Sequence, residues 1–285
     1  MRNWKLHLSL FLATVLTTLF AGAYYIVDYD LLAEFPNRIL PGLAMGIPFS
    51  LPLLVILGAH EFAHYFNSGR HGVDATLPYF IPFPNLFGTL GAVIRIKSRI
   101  LNRKALIDIG ASGPLTSFVL SVVACAVGLY LSEPVPLKPL ESGDTVLGGS
   151  LIYVLLMKLF VRADLARYAV DLHPVAVAGW VGLFVTSINL MPVGQLDGGH
   201  ISYAFLPRRH MLVSRIFIVL LALMGLVFPG WIIWAVLLLF IGVKHPPVMD
   251  QDGRLDAKRK LMGAASLVIF IITFPPVPVY IYFPE

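Results

Sequence analysis

The apolar stretch LPLLVILGA, residues 51–59, runs without a polar break into HEFAH at 60–64. Such a run has to be helical if it lies in a bilayer, because backbone N–H and C=O groups out of reach of water must be satisfied within the segment itself. On a helix His60 and His64, four residues apart, leave the same face and can converge on one Zn²⁺. Glu61 then stands beside them, placed to take a proton from a water that the metal has made acidic. Ionisable side chains at membrane depth cost about 2.5–3.5 kcal/mol each, so this cluster points to function rather than to a helix end with interfacial polar groups.

Composition agrees with that setting. Hydrophobic residues make up 58% of the chain, charged residues 13%, and mean hydropathy is +0.81. Soluble domains run at about 45–50% and 25%, so the composition predicts an integral membrane protein. Cys125 is the single cysteine, so neither an intrachain disulfide nor a cysteine-based zinc site is available. The net charge of +5 is spread over several short loops. That distribution argues against a nucleic-acid partner and for membrane orientation.

Taken in order, residues 7–27 are long enough to span a bilayer. Basic MRNWK precedes this run, and an acidic loop with Asp28, Asp30 and Glu34 follows it, which predicts a cytoplasmic N-terminus. A second run, 39–66, carries Pro41, Pro48 and Pro52 and should kink or restart before a clean helix from about 53 to 68. Gly88-Thr-Leu-Gly91 reads as a turn, with a strand alternating over Val93 to Lys97 whose edge could hold an extended peptide. Arg95, Lys97, Arg99, Arg103 and Lys104 make this a cytoplasmic loop. A third span, 107–131, opens with Asp108 as an N-cap or first-turn carboxylate. The small residues Gly110, Ala111, Ser112, Gly113 and Ser117 invite close packing on the HEFAH helix. Within 132–172, LIYVLLMKLFVRADL reads as an interfacial amphipathic helix. A fourth span covers 175–191, and shorter apolar stretches follow at 211–228, 231–243 and 261–282, the last ended early by FPPVPVY.

Two histidines need a third partner, since catalytic zinc usually has three protein ligands and an open position. Asp197, set in NLMPVGQLDGGH (189–200), suits a non-helical turn that folds a carboxylate back into the protein, and is the best candidate. His71, Asp74, Asp108 and His200 compete with it.

HEFAH in a hydrophobic helix, joined to NLMPVGQLDGG, GTLGAVI and GASGPLTSF, resembles the site-2 protease family of intramembrane zinc metalloproteases over residues 40–205. The wording of 172–200 looks most like the bacterial and plastid branch without a PDZ domain. The resemblance implies one Zn²⁺ per chain on His60, His64 and Asp197, with Glu61 activating water. It implies substrate positioning or carbonyl polarisation by Asn189, and a re-entrant loop with Gly88 and Gly91 offering a substrate edge. One departure is Gly194, where many members have a second proline.

The expected fold is an all-α polytopic membrane protein with about six to seven transmembrane helices and a small re-entrant or interfacial β-hairpin near the active site. Residues 1–285 are expected to form a single membrane-embedded protease domain. Its parts are a core over 40–205, an outer-side insertion over 132–172 and accessory C-terminal helices over 211–285. The expected substrate is a transmembrane protein, met in the lipid bilayer of the inner or plasma membrane if the source is prokaryotic, with the active site towards the cytoplasm. A metal-dependent transporter or a catalytically silent scaffold are the competing readings. A transporter would thread polar residues through several spans, and the remaining spans show almost none.

Overall fold

A computed structural model describes residues 4–24, 39–137, 139, 145–164, 167–250 and 253–281. The acidic loop carrying Asp28, Asp30 and Glu34 lies outside the described residues. Helix α1 (Trp4–Tyr24) is followed by α2 (Ile39–Met45) and α3 (Ile47–Arg70), then by a hairpin of β1 (Tyr79–Pro82) and β2 (Thr89–Val93). Next come α4 (Arg103–Leu131), β3 (Glu133–Pro136), β4 (Thr145–Leu147), α5 (Leu151–Phe160) and β5 (Tyr168–Asp171). The chain continues through α6 (Pro174–Asn189), α7 (Asp197–Phe205), α8 (His210–Met224), α9 (Gly230–Ile241), α10 (Ala257–Thr273) and β6 (Val279–Ile281).

Three helices, α1, α3 and α4, are long and apolar enough to cross a membrane. α5, α6, α8 and α9 are shorter apolar helices. Large apolar side chains stand exposed on the outer faces, among them Leu12, Leu16, Leu51, Val55, Val119 and Val123. In water such faces would be a liability, whereas lipid tails solvate them. The restart expected in the second apolar run falls at Gly46, where a Cβ would come within 2.0 Å of the Leu19 carbonyl oxygen. Backbone-to-backbone approach at that point locks the α2–α3 junction against α1.

α3, α4 and α6 form the centre. A Cβ on Gly128 of α4 would lie 2.0 Å from the Ala176 nitrogen of α6, and one on Gly179 would lie 2.5 Å from the Cys125 nitrogen. Small residues thus let α4 and α6 pack at backbone distance. Phe49, Leu53, Leu57, Cys125, Leu129, Val177, Trp180 and Leu183 fill the space between them and α3.

Two expectations need correction. The strand ends at Val93 rather than running over Val93 to Lys97, because its antiparallel partner begins at Tyr79, paired with Val93, and Pro78 before it has no N–H to extend the ladder. Beyond Val93 an isolated bridge, Ala75 to Ile96, is what remains. Asp108 is not the cap of the third span: Asn102 is, its side chain accepting from the Ala105 N–H at 2.9 Å. Asp108 sits one turn further in and is buried, accepting from Arg259 Nε at 2.9 Å and meeting His71 Nε2 at 2.9 Å. A second contact, Arg259 Nη2 to Asp108 Oδ2, completes a bidentate pair that ties α10 to α4. Removing Arg259 leaves the buried Asp108 carboxylate with His71 as its remaining side-chain partner and loses charge-assisted hydrogen bonds worth about 1.5–3 kcal/mol. Arg259→Met should therefore lower stability by about 2 kcal/mol, read as an earlier unfolding transition in detergent.

In the 132–172 segment, β3 pairs with β5, α5 begins at a Ser150 cap, and β4 pairs with β6 near the C-terminus. The last apolar helix ends at Thr273, ahead of the proline cluster.

Candidate metal centre

His60, Glu61 and His64 are buried on α3, and the rings of His60 and His64 meet with their Nε2 atoms 3.0 Å apart. Asp197 arrives from α7 with Oδ2 3.1 Å from His60 Nε2 and 3.3 Å from His64 Nε2. The approach differs from a non-helical turn. The chain turns over residues 190–196, and Asp197 is the first residue of α7, where a carboxylate is favoured by the helix dipole. Of the competing positions, His71 and Asp108 pair with each other, Asp74 lies outside the cluster, and His200 lines the same cavity.

Both imidazoles are fixed in one tautomer. His64 Nδ1 lies 2.7 Å from the Ile109 carbonyl oxygen, which can accept only, so Nδ1 carries the proton. His60 Nδ1 lies 3.0 Å from Ser117 Oγ, which meets Thr186 Oγ1 at 2.9 Å, and that hydroxyl donates to the Gly182 carbonyl at 2.7 Å. The terminal carbonyl sets the direction of the whole chain, so Ser117 accepts from His60 Nδ1–H. Each Nε2 is left as a lone pair facing its neighbour and the Asp197 carboxylate. Three Lewis-basic atoms within 4.8 Å of one another have no protons to share, which is a metal's coordination set rather than a hydrogen-bonded one. Nitrogen and oxygen donors at these separations suit tetrahedral Zn²⁺, whose ligand bonds of about 2.0–2.2 Å space ligands slightly wider.

The glycines of GASGP make this approach possible. A Cβ on Gly113 would stand 2.1 Å from His64 Nε2, and one on Gly110 would stand 2.9 Å from His200 Cβ. Glu61 Oε1 lies 3.9 Å from His60 Nε2, and Glu61 accepts from the Ile94 backbone N–H just past β2. Asn189, the last residue of α6, brings Nδ2 to 3.4 Å from His60 Nε2. Together they enclose a cavity of about 170 Å³, lined also by Ala92 to Ile94, Ile96 and Gln195.

Gly88 and Gly91 do not line it. Gly88, at φ +74°, is pressed against the α1 backbone, where a Cβ would lie 2.4 Å from the Thr17 oxygen. Gly91, at φ +102°, lies within β2. The residues of this segment that do reach the cavity are Ala92 and Val93 of β2, with Ile94 and Ile96 just beyond it. Nothing in the sequence marks the hydroxyls of Ser117 and Thr186, since a small residue in an apolar helix reads as packing. Outer partners of metal-binding histidines are worth about 10–100-fold in metal affinity, so Ser117→Ala should weaken zinc binding by that factor in chelator competition.

A largely helical protein with apolar, membrane-length helices and a buried His₂Asp cluster beside a carboxylate defines a class, that of membrane-embedded metal hydrolase centres. Comparison with known proteins narrows it. The model of peptidase family M50 matches residues 48–229, well over half of the chain, and the chain belongs to that family. It is 33% identical over 259 residues to the Arabidopsis thaliana protein named probable zinc metalloprotease EGY1, chloroplastic, covering 88% of this chain and 45% of that one. The A. thaliana EGY2 protein of the same description is 28% identical, with 92% and 47% covered, and rice (Oryza sativa subsp. indica) EGY2 is 28% identical, with 97% and 50% covered. The chain spans about half the length of these curated relatives. No solved structure matches.

Proposed function

We propose that the protein is an intramembrane zinc endopeptidase that cuts membrane-anchored proteins within or beside a transmembrane segment. The observation that carries this is the convergence of Asp197 Oδ2, from α7, on His60 Nε2 and His64 Nε2, which with Glu61 are buried on an apolar helix of membrane-crossing length. In this reading the three residues hold Zn²⁺, which when bound acts as a Lewis acid towards a carbonyl and a water. Glu61 takes the proton of the attacking water and passes it to the leaving amine. The Asn189 amide donates to the carbonyl oxygen as charge develops there.

The substrate has to be extended for its carbonyl to be reached, and backbone groups freed in lipid each cost several kcal/mol unless paired again. β2 pairs with β1 on one edge, and no described strand pairs with the other. Ala92, Val93, Ile94 and Ile96 line the cavity, which supports substrate binding by strand addition there. Six or seven crossings follow if the shorter apolar helices also span, with the N-terminus and the site towards the cytoplasm by the charge of the loops. In this reading the described residues form one membrane-embedded protease domain.

Cleavage position tests the reading. New protein termini in membranes of cells with the wild type, absent with a Glu61→Gln variant, should map within or a few residues from transmembrane segments. Termini confined to water-soluble domains contradict it.

A further inference from the structure

His200 lines the catalytic cavity yet stands outside the metal cluster. Its Nδ1 lies 2.7 Å from Nε2 of His245, in the loop after α9, and His245 Nδ1 lies 2.6 Å from the Pro246 carbonyl oxygen. Carbonyl oxygens accept only, so the proton of His245 is on Nδ1 and its Nε2 is an acceptor. That acceptor draws the proton of His200 to Nδ1. No described residue hydrogen-bonds His200 Nε2, which is therefore left as a lone pair on a residue that lines the cavity.

The arrangement is held rigidly. Tyr203 stacks on His245 with ring centroids 4.3 Å apart and planes 21° from parallel. Further along the same loop, Val248 is buried against the Leu106 and Tyr203 cluster. The Asp250 N–H donates to the Leu101 carbonyl at 2.9 Å. Burial, together with the neighbouring His200, keeps His245 neutral by holding its titration down at about 3.

We propose that His200 is a substrate-binding residue that accepts a hydrogen bond from a backbone N–H of the extended substrate, and that His245 is a positioning residue that fixes the His200 tautomer for this purpose. The proposal rests on the peptidase reading above. It supplies a complementary acceptor on the α7 side of the cavity, where Ala92 and Val93 of β2, with Ile94 and Ile96, line another side. An extended peptide needs partners for both edges once its helix has unwound. Nothing on α7 other than His200 and Asp197 brings a side-chain acceptor to the cavity lining.

The test uses the zinc-loaded full chain in detergent and a peptide hydroxamate, which anchors on zinc without turnover, together with its series of single backbone N-methylations. With wild type, methylation at one position should cost about tenfold more affinity than at the others, the worth of one hydrogen bond. His200→Ala should abolish that difference, His200→Gln should restore part of it because its Oε1 can stand near the place of Nε2, and His245→Ala should reduce it. All variants should keep their zinc. An unchanged methylation profile in zinc-loaded His200→Ala overturns the proposal, as does ¹⁵N spectroscopy showing a protonated Nε2 on His200. Zinc loss in His200→Gln also overturns it, by making His200 a ligand. Wild type that binds no zinc would instead defeat the metal-centre reading, and this proposal with it. Zinc content thus separates the two failures.

Discussion

Replacing Glu61 by glutamine should lower peptide cleavage by about 10²–10⁴-fold while leaving the zinc content unchanged. Glutamine keeps the shape of the side chain but cannot take up a proton. Glu61 is not one of the three converging ligand atoms; its Oε1 is 3.9 Å from His60 Nε2, and it is held by the Ile94 N–H. The loss should therefore fall on the chemical step, with substrate affinity little altered. Initial rates on a membrane-anchored substrate, beside metal analysis of the same preparations, check both halves. Equal cleavage by wild type and Glu61→Gln would remove Glu61 from the mechanism.

Asp197→Ala should have the opposite signature, losing metal and activity together. Without the carboxylate, His60 and His64 leave two neutral nitrogens 3.0 Å apart and no anionic ligand to balance a dication. Loss of an outer partner costs about 10–100-fold in affinity, so loss of a direct ligand should exceed 100-fold. Asp197 also opens α7 with its charge at the helix N-terminus, and Asp197→Asn separates the two contributions. Asparagine keeps an oxygen donor and should retain more zinc than alanine in a chelator titration.

These expectations draw unequally on sequence and structure. HEFAH was legible because an i, i+4 pair on a helix is a local pattern, and the helix around it declared itself by an unbroken apolar run. The close packing of the third span on that helix was legible too, since Gly110, Gly113 and Ser117 are small at helical spacing. What joins the site over long distances was not. Asp108 meets Arg259 across 151 positions, and neither residue carries a local sign of the other. Reading Asp108 as a cap followed from its position near the start of an apolar run, while Asn102, in a polar stretch, was the residue with the geometry. The hairpin is legible as such, but the bounds of its first strand are not, because Tyr79–Pro82 is short and bracketed by prolines, and a two-stranded hairpin needs no long alternating pattern when α1 packs over it. The tautomer locks on His60 and His64 depend on hydroxyls and a carbonyl that apolar helices hide.

If His60, His64 and Asp197 hold one catalytic zinc, its coordination shell can be read directly. X-ray absorption at the zinc edge, on purified protein with its metal content measured, tests this most directly. The expected result is about one zinc per chain in a shell of nitrogen and oxygen donors, two of them imidazoles, with the signal lost in His60→Ala. A metal-free wild type, or a sulfur donor in the first shell, would contradict it.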